Sequence, residues 1–380
     1  MRSAPVVLIG MSLVLFFTAT SAQAPDARID AEAVRAAVER ALAAAPRTLE
    51  RLTSPAQAGV RLVDVEVQQN GMAQQIDIDL SQKALTYDPA GDVERLIDHL
   101  LAATAPLTAG ARDVEYRFLV DGLPLDQFLP RIRQQPSVSS PRAIANGGRV
   151  LVSPGHGWYW EPAYNAFALQ RARHWGIVED LVNWEIATYL WHELRAADLD
   201  ARPARVPDRA AVPGVTGHPA WQESAKYFFK GLGAPASIWE TGANDYNQDI
   251  NSRPFYANWI DAAALVSIHN NGGEGTGTET WYDETNGQAR ESRRLAQIIN
   301  DHIVGAIRAQ YNPTWEDRGL RSCNGCKGEN RLASRPAVIV EVAFMDTRNP
   351  DNTALQDDRF KRLVAGAIYH ALLEWGRATP

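Results

Sequence analysis

Two histidines in this 380-residue chain follow apolar runs and precede glycine-rich turns: His156 in "RVLVSPGHGWYW" and His269 in "ALVSIHNNGG". Val150 to Val152 reads as a strand that Pro154-Gly155 breaks at its carboxyl end, and Leu265 to Ile268 reads as a buried strand running into the second histidine. Open α/β sheets bind ligands at such strand mouths, because the loops vary while the sheet holds them rigid. Glu179 opens the helical stretch "GIVEDLVNWEIATYLW", where the helix dipole favours a carboxylate. Two histidines and a carboxylate make the ligand set of a catalytic zinc site, with the fourth tetrahedral position left to water. Glu341, in "PAVIVEVAFMD", is a carboxylate inside an apolar strand. Alternation sets Val338, Val340 and Val342 on one face and Ile339, Glu341 and Ala343 on the other. An unpaired charge buried there is costly, so Glu341 calls for a partner or a raised pKa, and water activated at a zinc site is such a partner.

The elements that must hold these groups are legible as an alternation. "VLVSP", a helix from Val178 to about Ala197, "AALVSIHNN", the helix "ESRRLAQIINDHIVGAI", "AVIVEVAF" and a helix from Asp358 to Trp375 follow one another. Apolar strands without a polar face, interleaved with helices, predict an α/β fold: a mixed or parallel sheet flanked by helices, over residues 150–380. Upstream, "RLVDVEVQQNGMAQQIDIDLS" reads as a hairpin turning at Asn70-Gly71, followed by the helix "DVERLIDHLLAAT" and the strand "VEYRFLVDG". Strand, strand, helix, strand predicts a small α+β domain over 59–130. A helical lead-in over 25–58 carries Val34, Val38 and Leu42 at spacing four, and 131–149 is polar, with Pro136, Pro141 and Gly147-Gly148, as a linker is.

Lys and Arg number 38 against 45 Asp and Glu, for a net charge of -7, with no long basic run. A nucleic-acid partner is not expected. Residues 1–24 have the form of a secretory signal peptide: Arg2, the apolar run "VVLIGMSLVLFF", then small residues allowing cleavage after Ala22 or Ala24. The run is shorter than the roughly 20 residues of a spanning helix, so export to the periplasm or the extracellular wall is expected without a stable membrane anchor. In an oxidising compartment Cys323 and Cys326, in the loop-like "RGLRSCNGCKGEN", pair as a disulfide clip. A zinc knuckle lacks its further ligands, and the redox reading of C-x-x-C lacks a thioredoxin-like context.

Taken in order, "PGHG", "VEDLVN", "SIHNN" and "PAVIVEVAF" resemble the motifs of zinc-dependent N-acetylmuramoyl-L-alanine amidases of bacterial cell-wall turnover. The resemblance runs from about Val150 to the end. It implies His156, Glu179 and His269 as zinc ligands and Glu341 as the catalytic glutamate. Asn183 and Asn271 also fall on motif positions, with a helix-surface or turn role as open as a site role. Ser153 and Trp158 depart from the usual Asp and second Gly of the first motif. The segment from Asp208 to Ile250, with Trp221, Phe228, Phe229 and Trp239, is longer than usual: a lid, a substrate wall or an elaboration. The α+β segment resembles the GerMN-type domain through "IDIDLS" and "LVDG".

Aromatic residues crowd the expected mouth, and of these Trp158 or Trp160 is the expected substrate contact. His99, His174, His192, His218, His302 and His370 have no motif support, and "WHEL" is not H-E-x-x-H. The expected activity is hydrolysis of the amide between the lactyl group of N-acetylmuramic acid and L-alanine, with Zn2+ as cofactor. The expected partners are peptidoglycan as substrate and a regulatory protein of open identity. A zinc peptidase acting on stem peptides and a non-catalytic wall-binding protein are the alternatives.

Overall fold

The computed structural model describes residues 28–44, 59–70, 73–86, 93–129, 147–210 and 212–377. The expected signal peptide, Gly71 of the predicted hairpin turn and residues 131–146 of the expected linker lie outside the described residues. Among those described, no helix is long and apolar enough to cross a membrane. The strands are β1 (Leu62–Asn70), β2 (Ala73–Leu80), β3 (Val114–Val120), β4 (Val150–Pro154), β5 (Ala201–Pro203), β6 (Ala264–Asn271), β7 (Thr278–Asp283), β8 (Asp317–Cys323) and β9 (Ala337–Phe344). The main helices are α1 (Ala31–Ala43), α2 (Glu94–Thr104), α3 (Glu179–Ala196), α4 (Ala225–Gly231), α5 (Asp245–Trp259), α6 (Ala289–Gln310) and α7 (Asp358–Arg377).

The fold is α/β, as its alternation predicts. The mixed sheet runs β1-β2-β3-β8-β7-β9-β6-β4-β5, and the two-residue strand Leu123–Pro124 pairs with β3. From β5 through β4 and β6 to β9 the strands are parallel; β7 runs against β9, and the parallel pairs β7–β8, β8–β3 and β3–β2 follow. The predicted hairpin pairs Asn70 with Ala73, and its strands continue the carboxyl-terminal sheet through β3 and β8, with Val114 opposite Arg321.

Two faces follow from strand periodicity. Val150, Val152, Val266, Ile268, Val338 and Val340 pack under α3, α6 and α7 with Ile186, Leu190, Leu295, Ile299, Val364 and Ile368. Leu151, Leu265 and Ala337 meet α4 and α5 through Phe229, Tyr256 and Ala257, while Ile339 joins α1, α2 and the amino-terminal strands in a third cluster. Ala343, assigned by alternation to the Glu341 side, packs instead with Val342, next to a register irregularity between His269 and Asn271.

Three strands, β5, β7 and β8, lie in stretches where the sequence pattern predicts none. "RGLRSC" is not loop but most of β8, and its disulfide to Cys326 clips the turn that leaves it. Asn324 in that turn donates to the carbonyl of Phe118 and accepts from its amide, both at 2.9 Å, extending the β8–β3 pairing by side chain. The segment from Asp208 to Ile250 holds α4 and the start of α5, so it covers the second face of the sheet.

Candidate metal centre and cavity

Parallel register brings the expected residues to one level. Ile268 lies opposite Pro154, and His269 opposite Glu341, so the carboxyl ends of β4, β6 and β9 share one edge. The sequence "PGHG" is what that edge requires. A Cβ at Gly155 would sit 2.2 Å from the His269 ring, and one at Gly157 would sit 2.7 Å from the Ser224 backbone. Gly157 has φ +129, and His156 itself is left-handed at φ +63, which turns its ring back over the sheet.

The ligand atoms of His156, Glu179 and His269 converge, and all three residues are buried. His156 Nε2 is 3.0 Å from Glu179 Oε1, His269 Nδ1 is 3.2 Å from His156 Nε2, and His269 Nδ1 is 3.3 Å from Glu179 Oε1. A tetrahedral zinc with bonds of about 2.0–2.1 Å has ligand–ligand edges of about 3.3–3.4 Å, so this triangle fits one face of such a site. Among the described residues no other group of three such side chains converges in this way.

The surroundings fix which nitrogens face inward. His156 Nδ1 donates to Gln170 Oε1 at 2.7 Å, and the Gln170 amide is oriented by donating to Asp249 Oδ2 at 2.7 Å. His269 Nε2 donates to Glu329 Oε1 at 3.2 Å. Both rings therefore turn their other nitrogen, His156 Nε2 and His269 Nδ1, toward the Glu179 carboxylate, where either protons on the rings or a metal cation would satisfy it. Arg253, fully buried, joins the two supports: it holds Asp249 at 2.8 Å and Glu329 at 3.4 Å, and donates to the His156 carbonyl at 3.1 Å. Asn183, one turn beyond Glu179 on α3, donates to Glu179 Oε1 at 3.1 Å, which settles it as a support of the site. Asn271 donates to Glu279 at 2.7 Å. Asp180 accepts from the amides of Gly157 and Gln170, at 2.9 and 2.8 Å, and so ties the two loops together.

Charge follows geometry. Against burial that pushes it up, His156, His269 and Arg171 hold the Glu179 carboxyl well below its usual range. Glu329 is likewise held down, to about 2, by Arg253 and His269 despite its burial. Glu341 differs. Burial pushes it up to about 7, Glu179 and Glu279 add to the rise, and His269 and Lys327 oppose it. Its Oε2 is buried without a hydrogen-bond partner. It stands beside the ligand triangle and not in it.

These groups open into a cavity of about 550 Å³ whose wall includes His156, Glu179, His269, Glu341, Trp281 and Tyr159. Neither Trp158 nor Trp160 reaches it. Along the short strand Tyr159–Glu161 the side chains alternate, so Tyr159 points in, Trp160 is 36% exposed, and Trp158 stacks on His218 with ring centroids 3.4 Å apart. Gln170, Arg253 and Glu329 were missed by sequence reasoning. They sit in a loop, a polar helix and the one-turn helix Gly328–Arg331, where neither periodicity nor a strand end marks them.

Residues 221–374 match the family model described as N-acetylmuramoyl-L-alanine amidase. The match takes in His269, Glu329 and Glu341 and begins beyond His156 and Glu179. No curated protein matches the chain. Similar solved structures include an N-acetylmuramoyl-L-alanine amidase from Clostridium difficile 630, with 20% identity, TM-score 0.43, and 62% of this chain and 100% of that chain covered. Another is the amidase AmiC2 of Nostoc punctiforme, with 20% identity, TM-score 0.40, and 60% and 97% covered. A third is Ami1 from Mycobacterium smegmatis, with 18% identity, TM-score 0.43, and 61% and 98% covered. By sequence, the carboxyl-terminal α/β part of this chain is thus similar to N-acetylmuramoyl-L-alanine amidases over residues 221–374.

Proposed function

We propose that this protein is an exported zinc hydrolase that cleaves the amide between the lactyl group of N-acetylmuramic acid and L-alanine in peptidoglycan. The observation that carries the reading is the buried triangle of His156, Glu179 and His269, with one nitrogen of each imidazole turned to the same point. The family match supports the choice of amide. Bound there, zinc would supply Lewis acidity to the scissile carbonyl and to water. Glu341, at the strand position beside His269, takes the proton of the attacking water and delivers it to the departing alanine amine. Burial raises the basicity of this carboxyl, which suits it to take up that proton. Gln170, Glu329 and Arg253 keep the two imidazoles oriented through this cycle. The signal peptide over 1–24 and a GerMN-like segment over 59–130, joined by the linker 131–149 to a catalytic part over 150–380, complete the proposed organisation.

Mass analysis of fragments released from peptidoglycan, with and without chelator, tests this reading. Free stem peptides beginning at L-Ala, lost on chelation and restored by zinc, are expected. Fragments cut within the stem would make the protein a peptidase, and no release would return it to wall binding.

A further inference from the structure

One wall of the cavity comes from α2, more than two hundred residues of sequence away from β8 and β9. Glu94, Asp98 and Ala102, each one helical turn beyond the last, line it together with the metal triangle and Glu341. The approach is close: a Cβ at Gly273 would fall 2.0 Å from the Ala102 carbonyl, so the glycines after "SIHNN" are what let α2 lie there.

On this wall one carboxylate is held by two cations. Asp98 Oδ1 lies 2.7 Å from Lys327 Nζ, and Asp98 Oδ2 lies 3.1 Å from Arg171 Nη2. Both cations line the cavity, and neither takes part in the proton transfers above. Both belong to the rigid frame of the site. Arg171 follows Gln170, its amide donates to Asp180 at 3.2 Å, and its Nε lies 3.4 Å from Glu179. Lys327 follows the disulfide-bonded Cys326, and its ammonium lies 5.2 Å over the Trp281 ring. Asp98 is different: it reaches in from α2 of the amino-terminal segment. A two-cation clamp that takes one carboxylate, oxygen by oxygen, is the chemistry that recognises any carboxylate presented at that point.

We propose that Lys327 and Arg171 form a carboxylate-binding subsite for the stem peptide beyond the scissile amide, and that Asp98 is a resident competitor for it. The inference rests on the hydrolase reading above. A peptide carrying a free carboxylate near its second residue is then the preferred occupant. It binds by displacing Asp98 from the clamp, with no bond made or broken, and a carboxamide at the same position forfeits the charge-assisted contacts.

The test uses the full zinc-loaded chain and two synthetic tripeptides that begin with L-Ala. In one the second residue is joined to the third through its side-chain carboxyl, which leaves its α-carboxylate free, and the other has the corresponding α-carboxamide; both end in a carboxamide. Binding is read by calorimetry in wild type, D98N and K327M, with thermal melts confirming that each variant folds, and D98A repeats the measurement on an independent substitution. D98N is expected to bind the acid about tenfold more tightly, since a resident like charge repels the incoming carboxylate, and to leave carboxamide affinity unchanged. K327M is expected to lose about tenfold or more on the acid alone, the worth of a charged hydrogen bond. Unchanged or weaker acid binding in both Asp98 variants, or full acid preference in K327M, would overturn the subsite and leave Asp98 as a tie holding α2. If wild type releases L-Ala-initiated peptides from peptidoglycan while binding both tripeptides equally in every variant, the subsite fails and the hydrolase reading stands. If no such peptide is released, both fall.

Discussion

At His156 the chain accepts a left-handed backbone, φ +63, at a cost of about 1–2 kcal/mol, and places a glycine on either side. The strain has a visible return: the ring comes to lie edge-on to His269, with centroids 4.7 Å apart, over a position where Gly155 has no side chain. G155A should therefore displace His269 and weaken zinc binding by about tenfold or more while the remote fold persists, as chelator competition and circular dichroism would register. Glu329 acts through His269, so E329Q should weaken zinc by about 10–100-fold in the same assay. It should also change acid stability. Glu329 is held at about 2 against an ordinary 4.5, so its contribution is present above pH 4.5 and is lost as pH falls toward 2. Melts of the metal-free protein across that window should show a steeper loss in wild type than in E329Q. The four groups named from sequence, His156, Glu179, His269 and Glu341, were legible because each ends a strand, opens a helix or interrupts an apolar run. Glu329 and Arg253 were not, since a charge in a short turn or a polar helix looks the same whether it faces water or a histidine.

At the scale of elements, β8 shows why part of the sheet was hidden. Its inward residues include Arg318 and Arg321, which are 1% exposed, where a strand pattern would call for apolar side chains. Both arginines meet Glu279 of β7, at 2.6 and 3.3 Å. Arg318 also donates to the Ala105 carbonyl at 3.0 Å, and Arg321 to the Ala111 carbonyl at 3.1 Å, just beyond α2. Buried charge is tolerated there because it is paired and because carbonyls of the amino-terminal segment take up further donors. Hydrophobic periodicity is blind to that solution. The consequence for β8 is direct: without β3 it becomes an open edge, and two guanidiniums lose these carbonyl acceptors. A chain trimmed to residues 147–380 should aggregate or melt well below the full chain, by light scattering and calorimetry. A trimmed chain as stable as the whole would show that the β3–β8 seam contributes nothing to folding.

Across the whole molecule, three parts of the sequence meet at one cavity. The carboxyl ends of β4, β6 and β9 carry His156, His269 and Glu341, and the start of α3 carries Glu179; α5 supplies Tyr246 to the wall and Asp249 to Gln170; α2 supplies Asp98. The alternation of strands and helices gave the α/β class and the placing of the histidines, while the continuity of the sheet into β1–β3 had no signal in composition or spacing. The account depends most on the division of labour between three residues that hold metal and one that moves a proton. Glu341→Gln keeps the size of the side chain and removes its basicity. Zinc content by elemental analysis, taken with the rate of L-Ala-initiated peptide release, measures both roles in one preparation. Near one zinc per chain and a rate lower by about 10²–10⁴-fold are expected. Zinc lost along with activity would make Glu341 a ligand, and a rate close to wild type would leave the proton transfers without their residue.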